Sequence, residues 1–180
     1  MWKTKDVCIT AMGIALFVAL SMCLRVPVFE NYYLCLGYIA MAVYCYSFGT
    51  VKGTMVGVIG TVIYCFLING LRGMPGWAIG NTAIGITLGI WFGVTKKQRL
   101  KTSLFWYVGA SAVIIASVAF GILVLKSSVE CILYAQPMAI RLANNTYAFI
   151  SDVVVLIVSL PICQRVDSIL RKNFSSLEVQ

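Results

Sequence analysis

Histidine is absent from this 180-residue sequence, and charged residues make up only 11% of it. Because a soluble domain normally carries about a quarter charged residues, a water-soluble fold is disfavoured. The seven cysteines show no CxxC spacing and have no histidine to complete a zinc-type ligand set. The sequence therefore predicts no metal site and no cofactor, and the cysteines are interpreted as small hydrophobic side chains.

Catalytic motifs are also missing. The sequence contains no zinc-protease motif, no Gly-x-Ser-x-Gly elbow and no Walker A motif for ATP hydrolysis. A small membrane enzyme that uses Asp152 or Glu130 as an acid or base lacks a second catalytic group. We therefore expect that the protein is not an enzyme. If it moves a solute against a gradient, the energy must come from a partner or an ion gradient.

Long apolar stretches fill most of the chain, which is 61% hydrophobic with a mean hydropathy of +0.93. There are six of them: 7–24, 33–49, 53–70, 77–95, 103–126 and 138–163. Most have the roughly 17–25 residues that a helix needs to cross a bilayer. No stretch alternates apolar and polar residues as a barrel strand does. The sequence predicts one all-α integral membrane domain over residues 1–180, with six transmembrane helices.

Basic residues are distributed unevenly between the two sides of these helices. With the N-terminus in the cytoplasm, ten of them lie inside: Lys3, Lys5, Lys52, Lys96, Lys97, Arg99, Lys101, Arg165, Arg171 and Lys172. Four lie outside or near the outer end: Arg25, Arg72, Lys126 and Arg141. This is the bias of the positive-inside rule, so both termini are predicted to be cytoplasmic. The net charge of +8 is thereby explained without nucleic acid as a partner.

Small residues mark three helices as suited to close contact. In the first, Ala11, Ala15 and Ala19 recur every four residues and form a ridge that another helix can approach closely. Two interpretations of this ridge stay open, namely packing within the chain and docking of an external membrane protein. The glycines of the third and fourth helices predict tight packing inside the bundle: Gly53, Gly57, Gly60, Gly85, Gly89 and Gly93.

The last helix carries an unusual set of polar residues: Arg141, Asn144, Asn145, Ser151 and Asp152. Polar groups at membrane depth are costly and normally face the bundle interior or a wet cavity. Arg141 and Asp152 are about 16 Å apart along a helix, so each needs a partner elsewhere. A structural polar network and a ligand pocket that opens outward are both compatible with this stripe.

Two aromatic residues lie about one turn from an asparagine, Trp77 from Asn81 and Tyr147 from Asn144. Aromatic walls with a few convergent polar groups suit a planar, polar small molecule. The residues predicted to bind such a molecule are Trp77, Asn81, Asn144, Asn145, Tyr147 and Asp152. A structural or assembly subunit of a membrane complex, without a small-molecule ligand, is the alternative.

Several short motifs, taken in order, resemble the S component of energy-coupling factor (ECF) vitamin transporters. They are the basic N-terminus, Ala11-x-x-x-Ala15, Leu36-Gly37-Tyr38-Ile39-Ala40, Phe48-Gly49-Thr50-Val51-Lys52-Gly53, Val56-Gly57-Val58-Ile59-Gly60 and Pro75-Gly76-Trp77-Ala78-Ile79-Gly80-Asn81 with Gly85 and Gly89. The resemblance implies six helices with both termini inside, in the plasma membrane of a bacterium. It also implies that the alanine ridge docks on a transmembrane coupling subunit.

The same resemblance implies a transport role. An S component captures a vitamin or related micronutrient outside the cell and associates with the coupling subunit and two cytoplasmic ATPases. It is thought to topple in the membrane, which carries its site inward. The ligand is expected near the outer face, with residues 30–33 and 72–76 as lids. A pterin, pyrimidine, pyridine or deazapurine would each suit the pocket, and the resemblance favours none of them.

Overall fold

Seven α-helices and a two-stranded hairpin form the part of the chain that the structure, a computed structural model, describes, namely residues 3–23, 27–29, 32–69, 74–97 and 104–177. In chain order they are α1 (Thr4–Cys23), β1 (Pro27–Phe29), β2 (Tyr32–Tyr33), α2 (Gly37–Phe48), α3 (Thr50–Tyr64), α4 (Met74–Lys97), α5 (Leu104–Val118), α6 (Ser127–Tyr134) and α7 (Met138–Leu177). Two π-helical segments, Cys65–Asn69 and Ala119–Lys126, prolong α3 and join α5 to α6.

Five helical rods of the described chain are long and apolar enough to cross a membrane: Thr4–Cys23, Thr50–Ile68, Met74–Lys96, Leu104–Tyr134 and Met138–Lys172. The predicted all-α membrane bundle is thereby confirmed. A helix satisfies its own backbone hydrogen bonds, which is why helices form from apolar stretches in lipid. The side of the membrane on which the termini lie stays a prediction.

Helix α2 is shorter than the predicted stretch 33–49, because β2 occupies Tyr32–Tyr33 and the helix begins at Gly37. Its 12 residues rise by about 18 Å, which is less than the roughly 30 Å hydrocarbon core. It packs against α1, α3, α4 and α7, and residues 40–46 are all buried. A helix that is apolar on all sides belongs in the interior of a bundle, and α2 is its central element.

Glycine permits the sharp turn and the close contacts around α2. Gly49 alone separates α2 from α3 and has a φ of 94°, a left-handed conformation that glycine adopts without strain. A Cβ atom on Gly89 of α4 would lie only 2.5 Å from the Cα of Thr50 in α3. The predicted role of glycine in packing is therefore correct here, but it is wrong for Gly93, where a Cβ would meet no atom of the described residues within 4 Å.

Two helices extend farther than predicted. The predicted stretches 103–126 and 138–163 leave residues 127–137 between helices, but α6 continues to Tyr134 and only residues 135–137 are non-helical. The reason is that Ser127 and Glu130 are buried inside the bundle, so their polarity does not mark the end of a helix. The last helix was expected to end at residue 163, and α7 instead continues through Pro161 to Leu177.

Ion pairs join the helices at one end of the bundle. Lys52 Nζ of α3 lies 2.5 Å from Asp6 Oδ1 of α1, and Lys96 Nζ of α4 lies 2.7 Å from Asp167 Oδ1 of α7. We call this the basal end; it is the predicted cytoplasmic end. The opposite, distal end contains the start of α4 and the junction of α6 with α7. Several buried polar side chains lie at the distal end, among them Asn81, Glu130, Asn145 and Asp152.

Candidate functional site

A chain of buried hydrogen bonds crosses three helices near the distal end. Trp77 Nε1 of α4 donates to the hydroxyl of Tyr38 in α2 at 2.9 Å, and this hydroxyl donates to Asn81 Oδ1 at 2.6 Å. Asn81 Nδ2 in turn donates to Thr61 Oγ1 of α3 at 2.6 Å. Tyr38, Asn81 and Thr61 are fully buried, whereas Trp77 is only partly buried. Trp77 is thus the accessible end of a rigid polar chain.

A second polar cluster joins α6 to α7. Asn145 Nδ2 donates to Ser127 Oγ at 2.9 Å and to Glu130 Oε2 at 3.2 Å. Arg141 forms an ion pair of 3.5 Å with the same Glu130 oxygen. The Nε atom of Arg141 is buried, yet it has no hydrogen-bond partner among the described residues. Since buried polar atoms are normally hydrogen-bonded, this donor is available to an acceptor from elsewhere.

Asp152 connects the two clusters. Its side chain is buried, and its carboxylate faces the hydroxyl of Tyr38, which belongs to the first cluster. The cation that acts on this carboxylate is Lys126, one turn before Glu130. Lys126 and Arg141 thus share this region with the carboxylates of Glu130 and Asp152, so that each of these charges has an opposite charge nearby.

Gly76 brings the start of α4 against the charged cluster. A Cβ atom at this position would lie 3.1 Å from the carbonyl oxygen of Lys126 and 3.3 Å from Cγ of Glu130. A side chain here would force these neighbours to shift by a few tenths of an ångström, so glycine favours the close approach of Trp77, the next residue, to the cluster. We call the whole assembly the distal polar site; its members are Tyr38, Trp77, Asn81, Lys126, Glu130, Arg141, Asn145 and Asp152.

The two π-helical segments lie at this end of the bundle. Ala119–Lys126 immediately precedes Ser127, whose hydroxyl donates to the carbonyl of Ile122, five residues earlier, at 3.3 Å. A π-turn widens the helix and changes the direction of the side chains that follow. The segment Ala119–Lys126 therefore contributes to directing Ser127 and Glu130 into the bundle, where both contact Asn145.

Four of the six predicted binding residues face inward, namely Trp77, Asn81, Asn145 and Asp152. The other two, Asn144 and Tyr147, have exposed side chains. Successive residues of a helix are rotated by about 100°, so Asn144 lies well away from the direction of Asn145. Arg141, Asn145 and Asp152, spaced by four and seven residues, form the inward stripe.

Sequence reasoning assigned no binding role to Tyr38, Lys126 or Glu130. Tyr38 lies in an apolar run, and nothing in the sequence distinguishes it from the other aromatic residues. Lys126 ends the predicted stretch 103–126 and Glu130 lies after it, although their spacing of four residues places them on one face of a continuous helix. Extending the fifth helix by two turns would have identified this pair.

The alanine ridge lies on the exposed side of α1. Gly13 and Phe17 form the buried face of this helix, whereas Ala11, Ala15 and Ala19 are all exposed. The three alanines line an apolar groove of about 580 Å³ between α1 and α3, together with Ile14, Val18, Met22, Ile59 and Ile63. Packing within the described chain therefore does not explain the ridge.

This chain resembles known proteins in sequence and in fold. A family model described as "ECF-type riboflavin transporter, S component" matches residues 1–168. A UPF0397 protein of Streptococcus thermophilus is 25% identical over 149 residues, which are 78% of this chain and 81% of the relative. The crystal structure of the S-component for biotin from an ECF-type ABC transporter matches with a TM-score of 0.60 at 16% identity, over 93% of this chain and 95% of that one.

Proposed function

The chain belongs to the family of ECF-type riboflavin transporter S components, and from that premise we propose that it captures a vitamin-like small molecule outside the cell for an ATP-driven importer. S components are substrate-binding subunits and multi-pass proteins of the bacterial plasma membrane. They are not enzymes, because ATP hydrolysis belongs to their partner subunits. The proposal concerns which residues hold the substrate, what kind of molecule it is and how the subunit docks.

The substrate site in this proposal is the distal polar site. Its main support is that polar and charged side chains of α2, α4, α6 and α7 converge at one end of an otherwise apolar bundle. Polar groups at membrane depth commonly mark a substrate path. The buried Nε of Arg141, which lacks a partner in the described chain, offers a donor to a ligand oxygen or nitrogen. Asn144 and Tyr147, being exposed, are left out of the proposed site.

A planar heterocycle is the ligand class that suits these side chains. Trp77 packs edge-on against Tyr64, with ring centroids 5.9 Å apart, which holds its indole in a fixed orientation. Flat rings beside amide and carboxylate groups bind flat molecules with polar edges. The family description makes riboflavin the first compound to test. Of the lids expected at 30–33 and 72–76, residues 30–31 and 72–73 lie outside the described residues.

The docking surface in this proposal is the alanine groove on α1 and α3. Exposed alanines at four-residue spacing allow a partner helix to come close, and in lipid such close packing is a main source of helix association. The expected partner is the transmembrane coupling subunit, which carries two cytoplasmic ATPases. The predicted cytoplasmic position of the basal end is supported by its basic residues, Lys52 and Lys96 among them.

Identification of a bound compound tests the substrate proposal. The protein, purified without added ligand, is expected to release a stoichiometric heterocyclic compound on denaturation, detectable by mass spectrometry. Calorimetry with riboflavin and with biotin then compares a planar tricyclic ligand with a non-aromatic one. If neither compound binds and none is released, the distal polar site serves only to hold helices together, as the assembly-subunit alternative requires.

A further inference from the structure

A cavity of about 400 Å³ lies at the basal end, where α7 passes Pro161. It is lined by side chains from three helices, including Tyr46 of α2, Tyr107 of α5 and Arg165 and Arg171 of α7. The hydroxyl of Tyr107 donates to Gln164 Oε1 at 2.9 Å, which fixes part of the wall. The cavity is remote from the distal polar site and has no part in the function proposed above.

Positive charge is in excess around this cavity. Its carboxylate, Asp167, accepts from Lys96 Nζ at 2.7 Å and from Arg171 Nε at 2.8 Å, so it is already paired twice. Arg165 is exposed and forms no ion pair with any residue in the described ranges. Among the described residues, the three cations Lys96, Arg165 and Arg171 stand against this one carboxylate, which leaves a site that attracts an anion.

Exposed apolar side chains lie on the two outer helices that line the cavity, α5 and α7. Leu104 and Val108 of α5 are 77% and 61% exposed, and Ile162 of α7, beside Pro161, is 38% exposed. Both helices belong to rods that are long and apolar enough to cross a membrane, where such exposed side chains would face lipid tails. A free anion would gain nothing from the apolar side chains, whereas a phospholipid would use the basic cavity for its headgroup and the apolar side chains for its acyl chains.

We propose that this cavity, which we name the basal lipid site, binds the headgroup of an anionic phospholipid. The phosphate pairs with Arg165 and with the exposed part of Arg171, and the acyl chains lie along α5 and α7. Basic pockets at the cytoplasmic ends of transmembrane helices are suited to anionic headgroups. Since α7 packs against α2 and α5, while the alanine groove lies on α1 and α3, a bound lipid does not obstruct docking.

Native mass spectrometry of the full chain, released from nanodiscs of equal phosphatidylglycerol and phosphatidylcholine, tests this site. We expect phosphatidylglycerol to be retained preferentially. Arg165→Gln should lower the retained phosphatidylglycerol about fivefold, since one basic residue near an anionic surface is worth about 1 kcal/mol. The matched control is Lys5→Gln, which removes one exposed basic residue at the same end but on α1.

The outcomes separate a built site from diffuse attraction. Equal losses in Arg165→Gln and Lys5→Gln would mean that only the overall charge of the basal end matters, and would overturn the proposal. If millimolar inorganic phosphate or glycerol phosphate displaced the phosphatidylglycerol completely, the cavity would be a simple anion site, and the proposal that it binds a lipid would be overturned. Because Arg165 has no ion pair in the described chain, its replacement should leave the thermal unfolding midpoint unchanged, which excludes misfolding as the cause.

Discussion

The hydroxyl of Tyr38 stands between two side chains of α4: it accepts from Trp77 Nε1 at 2.9 Å and donates to Asn81 Oδ1 at 2.6 Å. Tyr38 and Asn81 are 43 residues apart in sequence, and both are completely buried. One oxygen atom therefore satisfies a donor and an acceptor of a neighbouring helix. Loss of this oxygen leaves both without a partner, which makes it a sensitive point of the distal end.

Tyr38→Phe should destabilise the protein and weaken substrate binding. The change leaves Asn81 Oδ1 and Trp77 Nε1 unsatisfied, which costs about 1–3 kcal/mol for a buried group. Thermal unfolding in detergent and calorimetric titration measure the two effects. Tyr107→Phe is the matched control, since it removes one hydroxyl bonded to Gln164 at the basal end and should leave ligand affinity unaltered. Equal affinity in both variants would argue against a role of Tyr38 at the site.

Asn145→Ala should weaken ligand binding, whereas Asn144→Ala should not. Asn145 is 1% exposed and bonds to Ser127 and Glu130, and Asn144 on the next position is exposed. We expect a loss of about 1–3 kcal/mol in binding free energy for Asn145→Ala, and the same range for Asn81→Ala and Asp152→Ala. Calorimetry on all four variants checks this. An affinity that no variant alters would mean that the ligand binds elsewhere.

Tryptophan at Ala11 and Ala15 should block docking and spare binding. Two indoles on the exposed face of α1 fill the groove and prevent close approach of a partner helix. Substrate binding by the isolated subunit should persist, while ATP-driven uptake in cells with the coupling subunit should fail. The control is Ala112→Trp with Ala116→Trp, an exposed alanine pair of identical spacing on α5. Uptake lost in the control pair too would attribute the defect to bulk in the membrane rather than to docking.

Asp167→Ala should destabilise the basal end. The carboxylate is 9% exposed and pairs with Lys96 and Arg171, so its removal leaves the partly buried Lys96 and the exposed Arg171 without their counter-ion. A cost of about 1–3 kcal/mol is expected, visible as a lower thermal unfolding midpoint. The double variant Lys96→Met with Asp167→Leu should recover part of this loss, because an apolar pair avoids the unpaired charge. No recovery would indicate that Asp167 acts mainly through Arg171.

Local sequence properties were sufficient for the helical bundle. The hydrophobicity and length of the stretches predicted the spanning rods, because in lipid a chain must satisfy its own backbone hydrogen bonds. The same properties were insufficient after residue 126, where the predicted stretch ends although Ser127 and Glu130 are buried residues of a helix. Composition cannot distinguish a polar residue that faces water from one that faces a buried partner.

The orientation of each helix about its axis depends on the helices that it packs against. This orientation determines which of its side chains face the distal polar site. A step of one residue rotates a side chain by about 100°, so the choice between Asn144 and Asn145 depends on how α7 packs against α2 and α6. Likewise, the spacing of Ala11 and Ala15 is compatible both with packing inside the bundle and with docking of a partner. The contact of Gly13 with Tyr44 and Val56 of the inner helices turns the opposite face of α1 outward. Hydrophobicity, a local property, thus predicts the rods, and close packing between distant segments determines which of their side chains meet.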